Sequence, residues 1–167
     1  MSTRDNMEYI SKKDVMEEIY HYFKNDEKMI LLIADMGFAV LDKFTNEHHE
    51  RAFNVGIAEQ ATISIAAGMY LAGLLPIVYS QVPFLTMRSY EQIRYDLCEH
   101  LMNVKMVGVG VDNYFSQLGR SHCMDDDDLQ MMSIFKNLLI LTPNKNNLKE
   151  QIQQMFEYSG PVYLRCK

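Results

Sequence analysis

The sequence predicts an α/β domain in which helices cover both faces of a doubly wound, mostly parallel sheet. Short, nearly all-apolar runs recur along the chain, and longer segments with helical spacing separate them. Short apolar runs are typical of strands that are covered on both sides, and their alternation with helices is typical of a parallel sheet. The 167 residues are 48% hydrophobic and 23% charged, which suits one folded domain over 1–167. Residues 1–11 are interpreted as an N-terminal extension.

Strands and helices alternate along the whole chain. The predicted strands are Met29–Ala34, Pro76–Tyr79, Val104–Val111, Asn137–Leu141 and Val162–Leu164. The predicted helices are Lys12–Phe23, Val55–Ala72, Thr86–Leu101, Asp127–Ile134 and Asn144–Tyr158. In doubly wound sheets, ligands bind beyond the carboxyl ends of the strands. The functional loops are therefore expected at Asp35–Asn54, Ser80–Thr86 and Asp112–Asp126.

Composition excludes several classes of function. The net charge is -6 and the pI is about 5.3, whereas nucleic-acid binders usually carry a basic face. No apolar run has the length of a membrane span, and the polar first residues do not resemble a signal peptide. Three widely spaced cysteines argue against a disulfide framework. We expect a cytoplasmic protein that binds neither nucleic acid nor membrane.

Glu59 is the most informative polar residue. Glu59 and Gln60 are the only strongly polar residues in the first three turns of the predicted helix Val55–Ala72, which is expected to be buried because it is otherwise apolar. One interpretation is a solvated first turn or a charge that complements the helix dipole. The other is a partly buried acid that retains its proton more readily and hydrogen-bonds a ligand.

The segment around Glu59 resembles a known family. Arg51–Gln60, RAFNVGIAEQ, is similar to the R-x-x-(N/D)-x-G-I-x-E-(Q/H) segment of transketolases, deoxyxylulose-phosphate synthases and their split relatives. Five more segments resemble the same family in the same order: GMYLAGLLP at 68–76, FLTMRSYEQIRYD at 84–96, NVKMVGVGV at 103–111, GRSHCMDDD at 119–127 and GPVYLR at 160–165. The resemblance implies the thiamine-diphosphate-binding fold, and within it the pyrimidine-binding domain.

The resemblance assigns Glu59 a catalytic role. The cofactor's aminopyrimidine removes the thiazolium proton once it has changed tautomer, and a carboxyl group on the pyrimidine ring nitrogen promotes that change. The family's glutamate corresponds to Glu59. Phe84 is implied as the aromatic platform under the pyrimidine, with a loop aromatic folded onto the core as the alternative. Tyr79 and Arg88 are further cofactor-binding candidates, although Arg88 could instead form a helix-start or subunit salt bridge.

The loop at 112–126 is expected on the substrate side. His122 stands where a family histidine contacts substrate oxygens, although a lone loop histidine is more often only solvated. Arg120 and Cys123 replace the family's usual residues, and Gln117 lies in a stretch that lacks the expected glycines. Gln117 is taken as a substrate-binding candidate, and Arg120 as a possible contact for an anionic group. Asp35 is placed near the cofactor or in a subunit interface.

Two other polar clusters have plainer interpretations. Asp125–Asp128 could be read as metal ligands, but four consecutive aspartates cannot all face one ion, so an N-cap and first helical turn are expected. His48 and His49 are expected to be solvated. No metal site is predicted on this chain.

The sequence lacks the family's G-D-G…N segment, which holds the diphosphate through Mg²⁺. The family's third, C-terminal domain is also missing from it. We therefore expect a partner subunit that carries Mg²⁺ and the diphosphate, in a hetero-oligomer such as a heterotetramer. The expected reaction transfers a two-carbon ketol unit between sugars or sugar phosphates. The alternatives are a 2-oxo acid decarboxylase or dehydrogenase subunit, a non-catalytic scaffold and a flavodoxin-like binder.

Overall fold

The computed structural model describes residues 9–167, and they fold around one sheet of six parallel strands. The strands are β1 Met29–Ile33, β2 Ala52–Asn54, β3 Leu75–Gln81, β4 Lys105–Val109, β5 Leu139–Leu141 and β6 Val162–Cys166. The helices are α1 Lys12–Phe23, α2 Asp42–Glu47, α3 Glu59–Leu71, α4 Tyr90–Gln92, α5 Asp127–Ser133 and α6 Leu148–Glu157. The predicted fold class is confirmed, and the sheet is parallel throughout.

Successive strand residues point to opposite faces of the sheet, and each face is covered. Leu31 and Tyr79 pack with residues of α1 and α6, whereas Leu32 and Val78 pack with residues of α3. Burial on both faces explains why the strands are nearly all apolar rather than alternating.

The strand order β2-β1-β3-β4-β6-β5 places a switch point between β1 and β3. The chain leaves β1 towards β2 on one side, and it then builds β3 and the remaining strands on the other side. In open α/β sheets, the connections diverge at such a point and leave a crevice beyond the carboxyl ends of the two strands.

One strand and one α-helix were not predicted, and both lie between β1 and α3. Strand β2 has only three residues, and Phe53 and Asn54 are exposed, so it lacks the apolar run that identifies the other strands. Helix α2 has six residues, of which only Phe44 is buried. Both are too short to produce a periodic pattern.

Helix α3 begins four residues later than predicted. Gly56 has a φ of 75° and Ala58 is not helical, so the backbone turns before the helix and makes Glu59 its first residue. The expectation that this helix is wholly buried is wrong. Ile65 and Leu71 are among the exposed large apolar residues, because only one side of α3 faces the sheet.

The segment predicted as a helix over Thr86–Leu101 is a composite. Two π-helical stretches, Phe84–Arg88 and Ile93–Cys98, flank the short helix α4. A single apolar stripe, with Ile93 and Leu97 buried, is compatible with either kind of helix, so sequence spacing could not separate them.

The acidic run stands at the start of α5, as predicted, with Asp126 at the N-cap position and with Asp127 and Asp128 in the first turn. Two of these aspartates, however, pair with a buried arginine. Asp128 is fully buried and pairs with the fully buried Arg165 of β6, at 2.8 Å between Oδ2 and Nε. Asp126 also accepts a hydrogen bond from Arg165, at 2.5 Å, and its side chain does not cap the helix. Tyr163 and Tyr9 donate their hydroxyls to Asp128 and Asp126, at 2.7 and 3.1 Å. We call these five residues the Arg165 network.

The first and last described residues meet close to this network. The predicted extension at 1–11 is described only from Tyr9 onward, because residues 1–8 lie outside the described residues. Ile10 is buried in the core, and its carbonyl accepts a hydrogen bond from the backbone N–H of Lys167. The described end of the extension thus packs against β6.

Lys105 is a fully buried lysine at the start of β4. Its ammonium donates hydrogen bonds to the carbonyls of Tyr158 and Gly160, at 2.7 and 3.2 Å. Burial lowers the pKa of Lys105 to about 7. In an unfolded chain, the pKa of a lysine is about 10.4.

We expect the free energy of unfolding to rise between pH 7 and about pH 10 because of Lys105. In that window the unfolded chain binds more protons than the folded chain, so the slope is positive and reaches about 1.4 kcal/mol per pH unit. This contribution of Lys105 to the free energy of unfolding declines as pH falls from about 10, and it is gone once pH has fallen through 7. Urea unfolding at pH 7, 8 and 9 measures it as the difference between the wild type and Lys105→Met. Lys43→Met, at an exposed site, should keep the wild-type slope. Parallel profiles for the wild type and Lys105→Met would contradict the assignment.

Candidate functional site

A cavity of about 260 Å³ opens beyond the carboxyl ends of β1 and β3, at the switch point. It is lined by Ala34, Asp35, Met36, Ile57, Glu59, Gln81, Phe84, Phe115, Leu118 and His122. These residues come from the three loop regions that the sequence identified, together with Ala34 directly after β1 and the segment from Ile57 to Glu59 at the start of α3. The cavity brings together four of the predicted site residues: Asp35, Glu59, Phe84 and His122.

Glu59 is a buried acid at the cavity wall. Only 2% of its surface is exposed, which excludes the interpretation as a solvated first turn. Its Oε2 accepts a short hydrogen bond from Nη1 of Arg88. Within residues 9–167, its Oε1 has no hydrogen-bond partner. A buried carboxylate oxygen that lines a cavity without a donor can accept a hydrogen bond from a ligand.

Phe84 is held between two other candidate residues. The guanidinium carbon of Arg88 lies 4.3 Å from the centroid of the Phe84 ring. The His122 ring contacts it edge to face, at 5.0 Å between centroids and an interplanar angle of 76°. Gln81 at the end of β3 donates to the His122 carbonyl at 3.5 Å. The site therefore combines a carboxylate, an aromatic ring and an imidazole.

Asp35 follows β1 in a left-handed conformation, with a φ of 46°. Asn54 at the end of β2 holds it, because the Asn54 amide donates to Oδ1 of Asp35 at 3.2 Å. The Asn54 side-chain oxygen accepts from the backbone N–H groups of Asp35 and Gly56, at 3.3 and 3.0 Å. Asn54 thereby joins the loop after β1 to the turn that precedes Glu59.

Comparison with known proteins identifies the family. The family model described as the pyrimidine binding domain of transketolase matches residues 11–167. The chain belongs to this family. Its fold and the order of its motifs agree with that membership, and the resemblance seen in the sequence is confirmed.

Three relatives illustrate the family. The chain is 33% identical over 153 residues to an apulose-4-phosphate transketolase subunit of Actinobacillus succinogenes, covering 90% of this chain and 49% of that protein. It is 36% identical over 127 residues to 1-deoxy-D-xylulose-5-phosphate synthase of Carboxydothermus hydrogenoformans, covering 75% of this chain and 20% of that protein. A solved structure described as a split gene transketolase, inactive beta4 tetramer, has a TM-score of 0.79 and 27% identity, covering 93% and 50%. The chain thus spans about half the length of the transketolase subunit it matches.

Four candidates do not line the cavity of this transketolase pyrimidine-binding domain. Tyr79 is fully buried on the sheet face that carries α1 and α6, opposite to α3, and burial raises the pKa of its hydroxyl. Gln117 and Arg120 are exposed, and Arg120 faces Asp125 at 3.7 Å. Within the described residues, Arg88 contacts the site through Glu59 and Phe84.

Sequence reasoning missed several residues of the cavity. Ile57, Phe115 and Leu118 give it apolar walls, and Gln81 orients the His122 segment. Asn54 could have been found, because it is part of the family segment, whereas isolated apolar residues in loops carry no periodic signal.

In the described part of the chain, no three His, Cys, Asp or Glu side chains are grouped as metal ligands would be.

The two neighbouring histidines differ. His49 is exposed, as predicted. The prediction for His48 is wrong, because its imidazole contacts the Tyr20 hydroxyl at 3.4 Å and the Arg51 guanidinium at 3.1 Å. Arg51 itself donates to the backbone carbonyls of Phe23, Asp26 and Met29, so it has a structural role. Among the described helices, none combines the length and apolar character that crossing a membrane requires.

Proposed function

We propose that this chain is the pyrimidine-binding subunit of a split, thiamine-diphosphate-dependent transketolase-like enzyme. The enzyme would transfer a two-carbon ketol unit between sugars or sugar phosphates. The observation that carries the proposal is the buried carboxylate of Glu59, which has one oxygen free of partners among the described residues and lines the same cavity as Phe84.

The chain's residues fit the pyrimidine half of the cofactor. A protein cavity of about 150 Å³ can hold a benzene ring, so about 260 Å³ accommodates a substituted six-membered ring. Phe84 offers an aromatic surface, and Glu59 offers the acceptor that a protonated ring nitrogen needs. Ile57 and Leu118 give the cavity apolar walls beside this contact.

Each residue of the site has a distinct task in the proposed reaction. Thiamine diphosphate, when bound, supplies the carbon that carries the two-carbon unit. Glu59 shares a proton with the pyrimidine ring nitrogen through Oε1, and Phe84 fixes the plane of that ring. His122 lies next to Phe84 and hydrogen-bonds oxygens of the substrate. Asp35 closes the cavity on the side of β1.

The diphosphate and its Mg²⁺ are assigned to a partner subunit. Ile57 is 73% exposed and Leu118 is 56% exposed, although both line the cavity. Exposed apolar side chains at the rim of a binding site are typical of an interface. The Actinobacillus succinogenes relative is itself named as a subunit of a transketolase, which supports an assembly with a second kind of chain.

A second candidate is the reaction of a 2-oxo acid, either as a decarboxylase or dehydrogenase subunit or in a synthase. The 36% identity to a 1-deoxy-D-xylulose-5-phosphate synthase favours a second kind of reaction on the same cofactor.

Arg120 is proposed to determine substrate specificity, because it would contact an anionic group of the substrate when the partner is bound. Arg120→Ala should therefore weaken the apparent affinity of the reconstituted enzyme for a substrate that carries such an anionic group.

Co-expression with a diphosphate-binding subunit encoded beside this chain tests the proposal. The pair should co-elute, bind thiamine diphosphate with Mg²⁺ and transfer a ketol unit from a ketose donor to an aldose. Release of CO₂ from a 2-oxo acid without ketol transfer would support the second candidate. Binding of thiamine diphosphate by this chain alone, as tightly as by the pair, would contradict the shared site.

A further inference from the structure

Arg88 belongs to the site without lining the cavity. Its Nη1 donates to Oε2 of Glu59, the oxygen other than the one left for a ligand. The Arg88 side chain is 37% exposed, whereas Glu59 is buried. One guanidinium thus reaches from the surface and neutralises a carboxylate that has little access to water.

The local backbone makes this contact possible. Phe84 and Arg88 are the first and last residues of the π-helical stretch that follows β3. The Arg88 guanidinium lies over the Phe84 ring, so the cation and the ring fix each other's orientation. Single π-helical turns are frequently found at functional sites, where they re-aim side chains. Here the turn directs Phe84 to the cavity and Arg88 to Glu59.

We propose that Arg88 is a positioning residue that acts through Glu59, an inference that rests on the proposed function. By holding Oε2, it fixes the carboxylate and leaves Oε1 for a ligand. A carboxylate oxygen accepts hydrogen bonds, so the complementary group on the ligand is a ring nitrogen that carries a proton.

This role differs from two others that an arginine could have here. An arginine that binds the ligand directly would act whether or not Glu59 is present. An arginine that competes with the ligand for the Glu59 carboxylate would be displaced when the ligand binds. Replacing such an arginine would tighten ligand binding. A residue that acts through Glu59 loses its effect when Glu59 loses its charge.

A double-mutant cycle separates these roles. The variants are Arg88→Met, Glu59→Gln and the double variant, with Arg94→Met as the matched control because Arg94 is exposed and does not line the cavity. Calorimetry of the chain with its partner measures the dissociation constant of thiamine diphosphate in the presence of Mg²⁺. A second titration uses 4-amino-2-methylpyrimidine on the chain alone, followed by NMR at the amides of Glu59 and Phe84.

We expect Arg88→Met to weaken binding of both probes at least tenfold in the wild-type background, and less than twofold in the Glu59→Gln background. Arg88→Lys, which keeps the charge, should recover part of the loss and covers the case in which Arg88→Met does not fold. Equal weakening in both backgrounds overturns the positioning role in favour of direct contact. Tighter binding by Arg88→Met overturns it in favour of competition. If the wild type binds neither probe, the proposed cofactor site itself is contradicted, and the role of Arg88 falls with it.

Discussion

Replacing Glu59 with Gln should lower the turnover number of the reconstituted enzyme by about 10²–10⁴-fold, the range that a positioned acid or base contributes. Glutamine has nearly the same shape and can still occupy the buried position at the start of α3. It cannot exchange a proton with a ring nitrogen. Steady-state rates at saturating cofactor measure the loss, and titration of the cofactor separates it from weaker binding.

The control for this substitution is Glu91→Gln, since Glu91 is an exposed residue of α4. It should retain the wild-type rate. Circular dichroism establishes that Glu59→Gln is folded. A folded Glu59→Gln complex that binds the cofactor and turns over within threefold of the wild type would refute the assigned role.

The second large effect is expected in the Arg165 network. Asp128→Asn should lower the free energy of unfolding by about 3–5 kcal/mol, because it leaves the buried guanidinium of Arg165 without its fully buried counter-charge. Domains are typically stable by only about 5–15 kcal/mol, so this variant should be marginally folded. Urea unfolding at neutral pH measures the change.

An exposed ion pair provides the comparison for Asp128. Glu17 and Lys43 lie 2.6 Å apart at the surface, and Glu17→Gln should change stability by no more than about 1 kcal/mol. Replacing Arg165 with Met and Asp128 with Leu together should restore much of what Asp128→Asn loses, because no unpaired charge then remains between the two positions. A loss below about 1 kcal/mol for Asp128→Asn would show that Asp126 alone suffices for Arg165.

The sheet and most of its helices could be predicted because their signals are local. Each long strand is an apolar run of several residues, and α1 even has the predicted bounds. The missed strand β2 has an exposed Phe53 and owes its pairing to β1, which is a contact distant in sequence. The start of α3 was displaced by Gly56, whose positive φ cannot be inferred from spacing alone.

For the site, the sequence identified which residue types take part. It did not reveal on which face of the sheet each side chain lies, or which residues contact each other. Tyr79 and Val78 are neighbours on one buried strand, and both are apolar enough for either face, so nothing local revealed that Tyr79 points away from α3. The contact between Glu59 and Arg88 joins residues that are distant along the chain, as does the contact between Asp128 and Arg165. Such pairs depend on how the elements pack. The family segments narrowed the candidates, and the packing determined which of them meet.

The position of β6 bears on how this chain can be synthesised. β6 lies between β4 and β5, and among the described strands it alone pairs with β5. A ribosome produces β4 and β5 before β6. In the nascent chain, β4 therefore has an unpaired edge, and β5 has no strand to pair with. Unpaired edges of this kind invite association with other chains. The sheet becomes continuous only after Val162–Cys166 has emerged, and a message truncated before that point encodes a chain that cannot complete it.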